Sequence, residues 1–290
     1  KTAQRIILEL KDKIKKERAT DINLDHLDLK GGFADTLSFI QCMSEQSPEA
    51  ILLTGDLSMA NFLIAHLELI DQNVKCPVYF VLGNHDFYYG EIESTRAKVK
   101  ECVNKSKWLR YLTASEPFEL SPNTVIMGHD GWYDFGFGLS NPIRFIMSDW
   151  LYIQDFTGTI DKFGRNYYIN DNTKIKQISK DLAQSGAAQI EQQILATSHK
   201  NKIILTHFPP WEEASLYNGK RSEEQALPVF ASKCMGEAIE RSSNQNLECN
   251  HIVLAGHTHD PYCGKITNNI ECRVGKARYE KPTYTIIEIE

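Results

Sequence analysis

Short apolar runs that end abruptly in polar residues recur along this chain. Ala50–Leu53 leads into Thr54-Gly55-Asp56, and residues 77–82 lead into Gly83-Asn84-His85-Asp86. Residues 202–205 lead into Thr206-His207, and 251–255 into Gly256-His257-Thr258-His259. Each run has the length of a strand. Between them, helical periodicity fits 33–46, 61–72, 173–199 and 223–241, with Pro228 limiting the first turn of the last. Residues 283–290 alternate Tyr284, Ile286 and Ile287 with polar positions and predict a closing strand. Strands alternating with helices predict an α/β fold. Open α/β sheets carry their sites at the carboxyl ends of strands, which is where these polar segments fall.

Residues 131–168 break this rhythm. They hold Trp132, Tyr133, Phe135, Phe137, Phe145, Trp150, Tyr152 and Phe156 with poor periodicity. They read as a long connection or insertion in a single domain spanning 1–290, lying near the mouth of the site. The aromatics either line that mouth or pack a small core of their own.

Composition narrows the function classes. The chain has 290 residues, 42% of them hydrophobic, enough for a sizeable core. No apolar stretch approaches the roughly 20 residues needed to cross a bilayer, so no membrane partner is expected. The net charge of -6 disfavours a nucleic-acid partner. The basic run from Lys11 to Arg18 is interrupted by Asp12 and Glu17 and reads as a solvated face. Seven cysteines, with no Cys-x-x-Cys pair, predict reduced thiols in a cytoplasmic protein.

The candidate chemistry lies in these polar segments. Gly55-Asp56 alone could be a plain turn. Asn84 and His85 directly after an apolar strand are either turn residues or ligands. His257 and His259, at i and i+2 on an extended chain, would point to the same side. Lone histidines such as His66, His129, His199 and His251 are more often structural or exposed. As a set, Asp56, Asn84, His207, His257 and His259 supply one carboxylate, one amide oxygen and three imidazoles. That mix suits Mn, Fe or Zn better than Mg or Ca. A carboxylate can bridge two ions, and two ions about 4 Å apart can clamp a phosphoryl group and acidify water.

These blocks, in this order, resemble the calcineurin-like metallophosphoesterase superfamily. Its signature runs Asp-x-His, Gly-Asp, Gly-Asn-His-Asp/Glu, a later His, and Gly-His-x-His, and the match here extends from Asp21 to His259. The resemblance implies a four-layer fold, a central two-sheet β-sandwich flanked by helices. It implies two divalent or trivalent transition-metal ions, Mn being the first choice in vitro. Asp21, Asn23 and His259 would hold one ion, Asp56 would bridge, and Asn84, His207 and His257 would hold the second. His85 would protonate the leaving oxygen, with Asp86 helping to orient it. The reaction would be hydrolysis of a phosphate mono- or diester by a hydroxide bridging the two ions, on a small phosphorylated substrate.

The first block departs from the pattern: Asn23 stands where the family has His, with His26 nearby. An amide oxygen is a weaker ligand for these ions. The rival reading is therefore a binding or regulatory relative that retains one metal. A nuclease or cyclic-nucleotide diesterase is a third reading, in which Trp132, Tyr133 or Trp211 would stack on a base or merely pack loops.

Overall fold

The computed structural model describes residues 4–8, 29–113, 115–139, 147–157, 173–276 and 284–289. In chain order these form β1 (Gln4–Leu8), α1 (Leu29–Ser44), β2 (Ala50–Leu53), α2 (Ala60–Asn73), β3 (Val78–Phe80), α3 (Ile92–Lys105), β4 (Leu109–Tyr111), β5 (Phe118–Ser121) and β6 (Thr124–Gly128). There follow α4 (Asp149–Tyr152), α5 (Thr173–Ala196), β7 (Asn201–Leu205), β8 (Leu216–Tyr217), β9 (Lys220–Arg221), α6 (Leu227–Phe230), α7 (Lys233–Ser243), β10 (Asn250–Ala255), β11 (Tyr262–Lys265), β12 (Ile270–Val274) and β13 (Thr285–Ile289). Asp21, Asn23 and His26, with the basic run from Lys11 to Arg18, lie outside the described residues.

The strands make two large sheets, ordered β13-β1-β2-β3-β4 and β11-β12-β10-β7-β6-β5. The middle of each is parallel, and the antiparallel pairings lie at β13, β11 and β5. Alternation along the strands sorts the side chains into three layers of core. Leu52, Tyr79 and Val81 of the first sheet meet Ile126, Ile203, Leu205 and Leu254 of the second. On the outer face of the first sheet, Ile51, Leu53, Val78 and Phe80 pack with Leu63, Leu67 and Ile70 of α2 and Val99 of α3. On the outer face of the second, Val125, Ile204 and Val253 pack with Ile190 and Ile194 of α5 and Ile239 of α7. The expected sandwich flanked by helices is thus present, and its central strands read as continuous apolar runs because both their faces are buried.

Three local outcomes differ from the sequence pattern. Helix α3 carries no clear apolar stripe, and only Ile92, Thr95 and Val99 are buried. The expected 223–241 helix is two helices, broken at Ala231 and Ser232. The break has a tertiary cause: the Asp134 carboxylate accepts the backbone N–H groups of Lys233 (3.2 Å) and Cys234 (2.7 Å), and so starts α7 afresh. In the aromatic-rich segment, Trp132, Tyr133, Phe135, Trp150 and Phe156 belong to the same large core cluster as the first sheet. Phe145 lies outside the described residues. All seven cysteines are free thiols. No helix among the described residues is long and apolar enough to cross a membrane.

Just past β6, a buried brace ties the two sheets together. Asp130 Oδ1 accepts the Leu82 N–H (2.7 Å) and the Thr113 hydroxyl (2.6 Å), and Oδ2 accepts the Tyr111 hydroxyl (2.7 Å) and Arg96 Nε (3.0 Å). Its backbone carbonyl takes the N–H of His207. Burial opposes ionisation of Asp130, but Arg96, His129 and the hydrogen bonds from Thr113 and Leu82 together outweigh it and hold the carboxyl below its usual range. Next to it, His129 accepts the Gly131 N–H on Nδ1 at 2.9 Å, which requires a neutral ring with the proton on Nε2. Burial, opposed by Asp130, pushes the His129 pKa down from 6.5 to about 4. The unfolded chain therefore binds this proton more readily, so the stability from neutral His129 is complete above pH 6.5 and is lost as pH falls towards 4. By pH 5 the loss should reach about 2 kcal/mol. Urea unfolding at pH 7 and pH 5 checks this: His129→Asn, whose amide oxygen can accept the same N–H, should lose that much of the pH dependence.

Candidate metal centre

Four of the expected residues come together at the carboxyl ends of β2, β3, β7 and β10. Asp56 follows β2, Asn84 follows β3, His207 follows β7 and His257 follows β10. His207 Nε2 lies 3.0 Å from Asn84 Oδ1 and 3.3 Å from Asp56 Oδ1. His257 Nδ1 lies 3.2 Å from the same Asn84 oxygen. His207, Asp56 and Asn84 are all but fully buried.

The backbone is shaped around this point. A Cβ on Gly83 would stand 2.0 Å from Asp56 Oδ1 and 2.5 Å from His207 Cε1. One on Gly55 would stand 2.7 Å from His207 Nδ1. Asp56, His257 and His259 all adopt positive φ, at 57°, 68° and 63°. Such residues carry on the order of 1–3 kcal/mol of strain each and cluster at functional sites. The two histidines are not on an extended chain, as their spacing suggested. The Thr258 N–H bonds to Gly256 O and the Asp260 N–H to Thr258 O, so two successive three-residue turns carry them. The half-buried His259 sits on the second turn.

Donor chemistry follows from the hydrogen bonds. His207 Nδ1 lies 2.7 Å from the Thr54 carbonyl, which can only accept, so Nδ1 carries a proton. In the neutral ring, Nε2 is then a bare lone pair, and it faces the Asn84 and Asp56 oxygens. Burial would raise the Asp56 carboxyl, but His207, His85 and His257 outweigh it and hold it well below its ordinary value. Burial, followed by His207, pushes His257 well below the imidazole range, leaving it neutral, the form that ligates. Among the described residues, no group of three or more His, Cys, Asp and Glu side chains makes a metal site by itself. The Asn84 oxygen lies within 3.2 Å of a ring nitrogen of both His207 and His257.

His85 is half-buried beside this point. Its ring stacks on Tyr88, with centroids 4.4 Å apart, and its backbone N–H donates to Asp56 Oδ1 at 3.1 Å. Asp86 accepts the N–H groups of Ser58 (2.7 Å) and Gly83 (2.8 Å), joining the loops that bear Asp56 and His85.

A profile of the calcineurin-like phosphoesterases matches residues 20–261, most of the chain. The chain belongs to the calcineurin-like phosphoesterase family. It is a phosphoric ester hydrolase, and the chemistry of its family implies two divalent metal ions. Among solved structures, this phosphoesterase resembles a dimetal phosphatase from Danio rerio, with TM-score 0.56 and 12% identity over 94% of this chain and 87% of that one. It also resembles phosphopantetheinyl hydrolase from Mycobacterium tuberculosis, with TM-score 0.58 and 12% identity over 99% and 97%. At that identity the likeness shows the fold. No curated protein matches the phosphoesterase.

One buried residue in contact with Asn84 escaped the sequence reading. Asp149, at the start of α4, accepts Asn84 Nδ2 at 2.7 Å. Its only local signal is an acid set among Met147, Trp150 and Leu151.

Proposed function

We propose that the phosphoesterase hydrolyses a small phosphorylated substrate at two metal ions sharing Asp56. Asn84, His207 and His257 would complete the shell of one ion, and Asp21, Asn23 and His259 that of the other. The observation that carries this reading is the confrontation of acceptors. His207 Nε2 lies 3.0 Å from Asn84 Oδ1 and 3.3 Å from Asp56 Oδ1, and with Nδ1 carrying the ring's proton this crowding of lone pairs is relieved by a cation between them. The mixed N and O donor set suits Mn, Fe or Zn. Bound there, the ions would neutralise phosphoryl oxygens and supply an acidified water.

The chain's own residues do the rest. Buried Asp56 remains charged and offers its carboxylate to both sides. Asp86 locks the loop that presents His85. Half-buried on its Tyr88 platform, His85 can hold a proton where a leaving oxygen departs. The net charge of -6 supports a small substrate over a nucleic acid, as does a fold neighbour that is a phosphopantetheinyl hydrolase.

Metal removal tests the proposal. Protein treated with a chelator should lose turnover of 4-nitrophenyl phosphate and its bis-ester, and added Mn should restore it. The relative rates on the two esters decide mono- against diester preference. One tightly held ion per chain without turnover on either ester would instead favour the one-metal relative.

A further inference from the structure

Building on the metal-centre reading, we infer that Asp149 is a positioning residue that fixes which end of the Asn84 amide faces the metal. Asp149 is fully buried, and its Oδ1 accepts both Asn84 Nδ2 (2.7 Å) and the Tyr88 hydroxyl (2.9 Å). Its Oδ2 has no hydrogen-bond partner among the described residues. An ionised carboxylate oxygen can only accept, so it faces the nitrogen end of an amide. The Asn84 oxygen is thereby turned the other way, to within 3.0 Å of His207 Nε2 and 3.2 Å of His257 Nδ1.

The alternative orientation shows why this matters. With the amide reversed, its NH2 group would donate to the bare Nε2 of His207, satisfying that lone pair without any ion. The site would then be quenched by its own side chain. Asp149 opposes the reversal because two oxygens would face each other at 2.7 Å in a buried site. The same carboxylate also anchors Tyr88, whose ring lies 4.4 Å from that of His85. One acid, 65 residues away in the chain, thus sets both a ligand and the platform of the proton-holding histidine.

Calorimetric titration of metal-free full-length protein with Mn²⁺ tests this. Asp149→Asn introduces an amide that can donate to a reversed Asn84, so the dissociation constant should rise on the order of 10- to 100-fold. At saturating Mn²⁺, KM for 4-nitrophenyl phosphate should stay as in the wild type. The exchange Asn84→Asp with Asp149→Asn keeps one carboxylate and one amide across the contact. It offers an oxygen to the site in either orientation, so it should recover most of the lost affinity, and it covers the case in which the single variant does not fold. Trp150→Phe cuts the neighbouring bond from Trp150 Nε1 to the Tyr133 hydroxyl and should leave Mn²⁺ affinity unchanged. Wild-type affinity in Asp149→Asn, or an equal loss in Trp150→Phe, would overturn the positioning role alone. Absence of Mn²⁺ binding by the wild type would overturn it together with the metal centre.

Discussion

His85→Gln should lower kcat on an alkyl phosphate by about 10²- to 10⁴-fold, the usual contribution of a positioned general acid. Glutamine has similar reach and keeps the backbone N–H that donates to Asp56 Oδ1, but it cannot deliver a proton. Mn²⁺ content should therefore match the wild type. The loss should shrink sharply on 4-nitrophenyl phosphate, whose leaving group departs as a stable anion. Steady-state kinetics on both esters make the comparison. An equal loss on both would mean that His85 contacts the phosphate without acting as an acid.

Much of this architecture could be read from the chain because its strands are buried on both faces and end in polar residues. Residues 50–53 and 77–82 are apolar throughout for that reason, and Asp56 and Asn84 follow them where a sheet opens. Helices α1, α2 and α5 were legible from their periodicity. Helix α3 was not, because a largely polar sequence lies on the surface with few residues anchored inward. The α6/α7 break was invisible because its cause, Asp134, lies 100 residues away from Cys234. The i and i+2 spacing of His257 and His259 suggested an extended chain, and the two tight turns that carry them could not be told from a strand by spacing alone. Asp149 was illegible for the same reason as Asp134: its partner Asn84 is remote, and a single acid among apolar residues does not name the group it serves.

Gly83→Ala should disable the site without touching a proposed ligand. Gly83 has φ of -103°, an ordinary extended value, so backbone freedom does not explain it. Space does: an added Cβ would stand 2.0 Å from Asp56 Oδ1, 2.5 Å from His207 Cε1 and 2.6 Å from Asp56 N. A methyl group there must push the shared carboxylate and the imidazole apart together. Neither can yield easily, since His207 is pinned to the Thr54 carbonyl at 2.7 Å and Asp56 to the His85 N–H at 3.1 Å. Overpacking of this kind costs about 1–3 kcal/mol of stability, and a displacement near 1 Å at a reacting centre costs on the order of 10²-fold in rate. Both losses are expected, with weakened Mn²⁺ binding. Gly90→Ala is the control, because its Cβ would crowd Ala60 Cβ at 2.7 Å and Thr95 Oγ1 at 2.9 Å but meet none of the candidate ligands. That variant should lose stability and keep Mn²⁺ affinity. Gly83→Ala with wild-type kcat and Mn²⁺ affinity would mean that the two loops are not packed together as tightly as these contacts require, and that the site does not depend on their closeness.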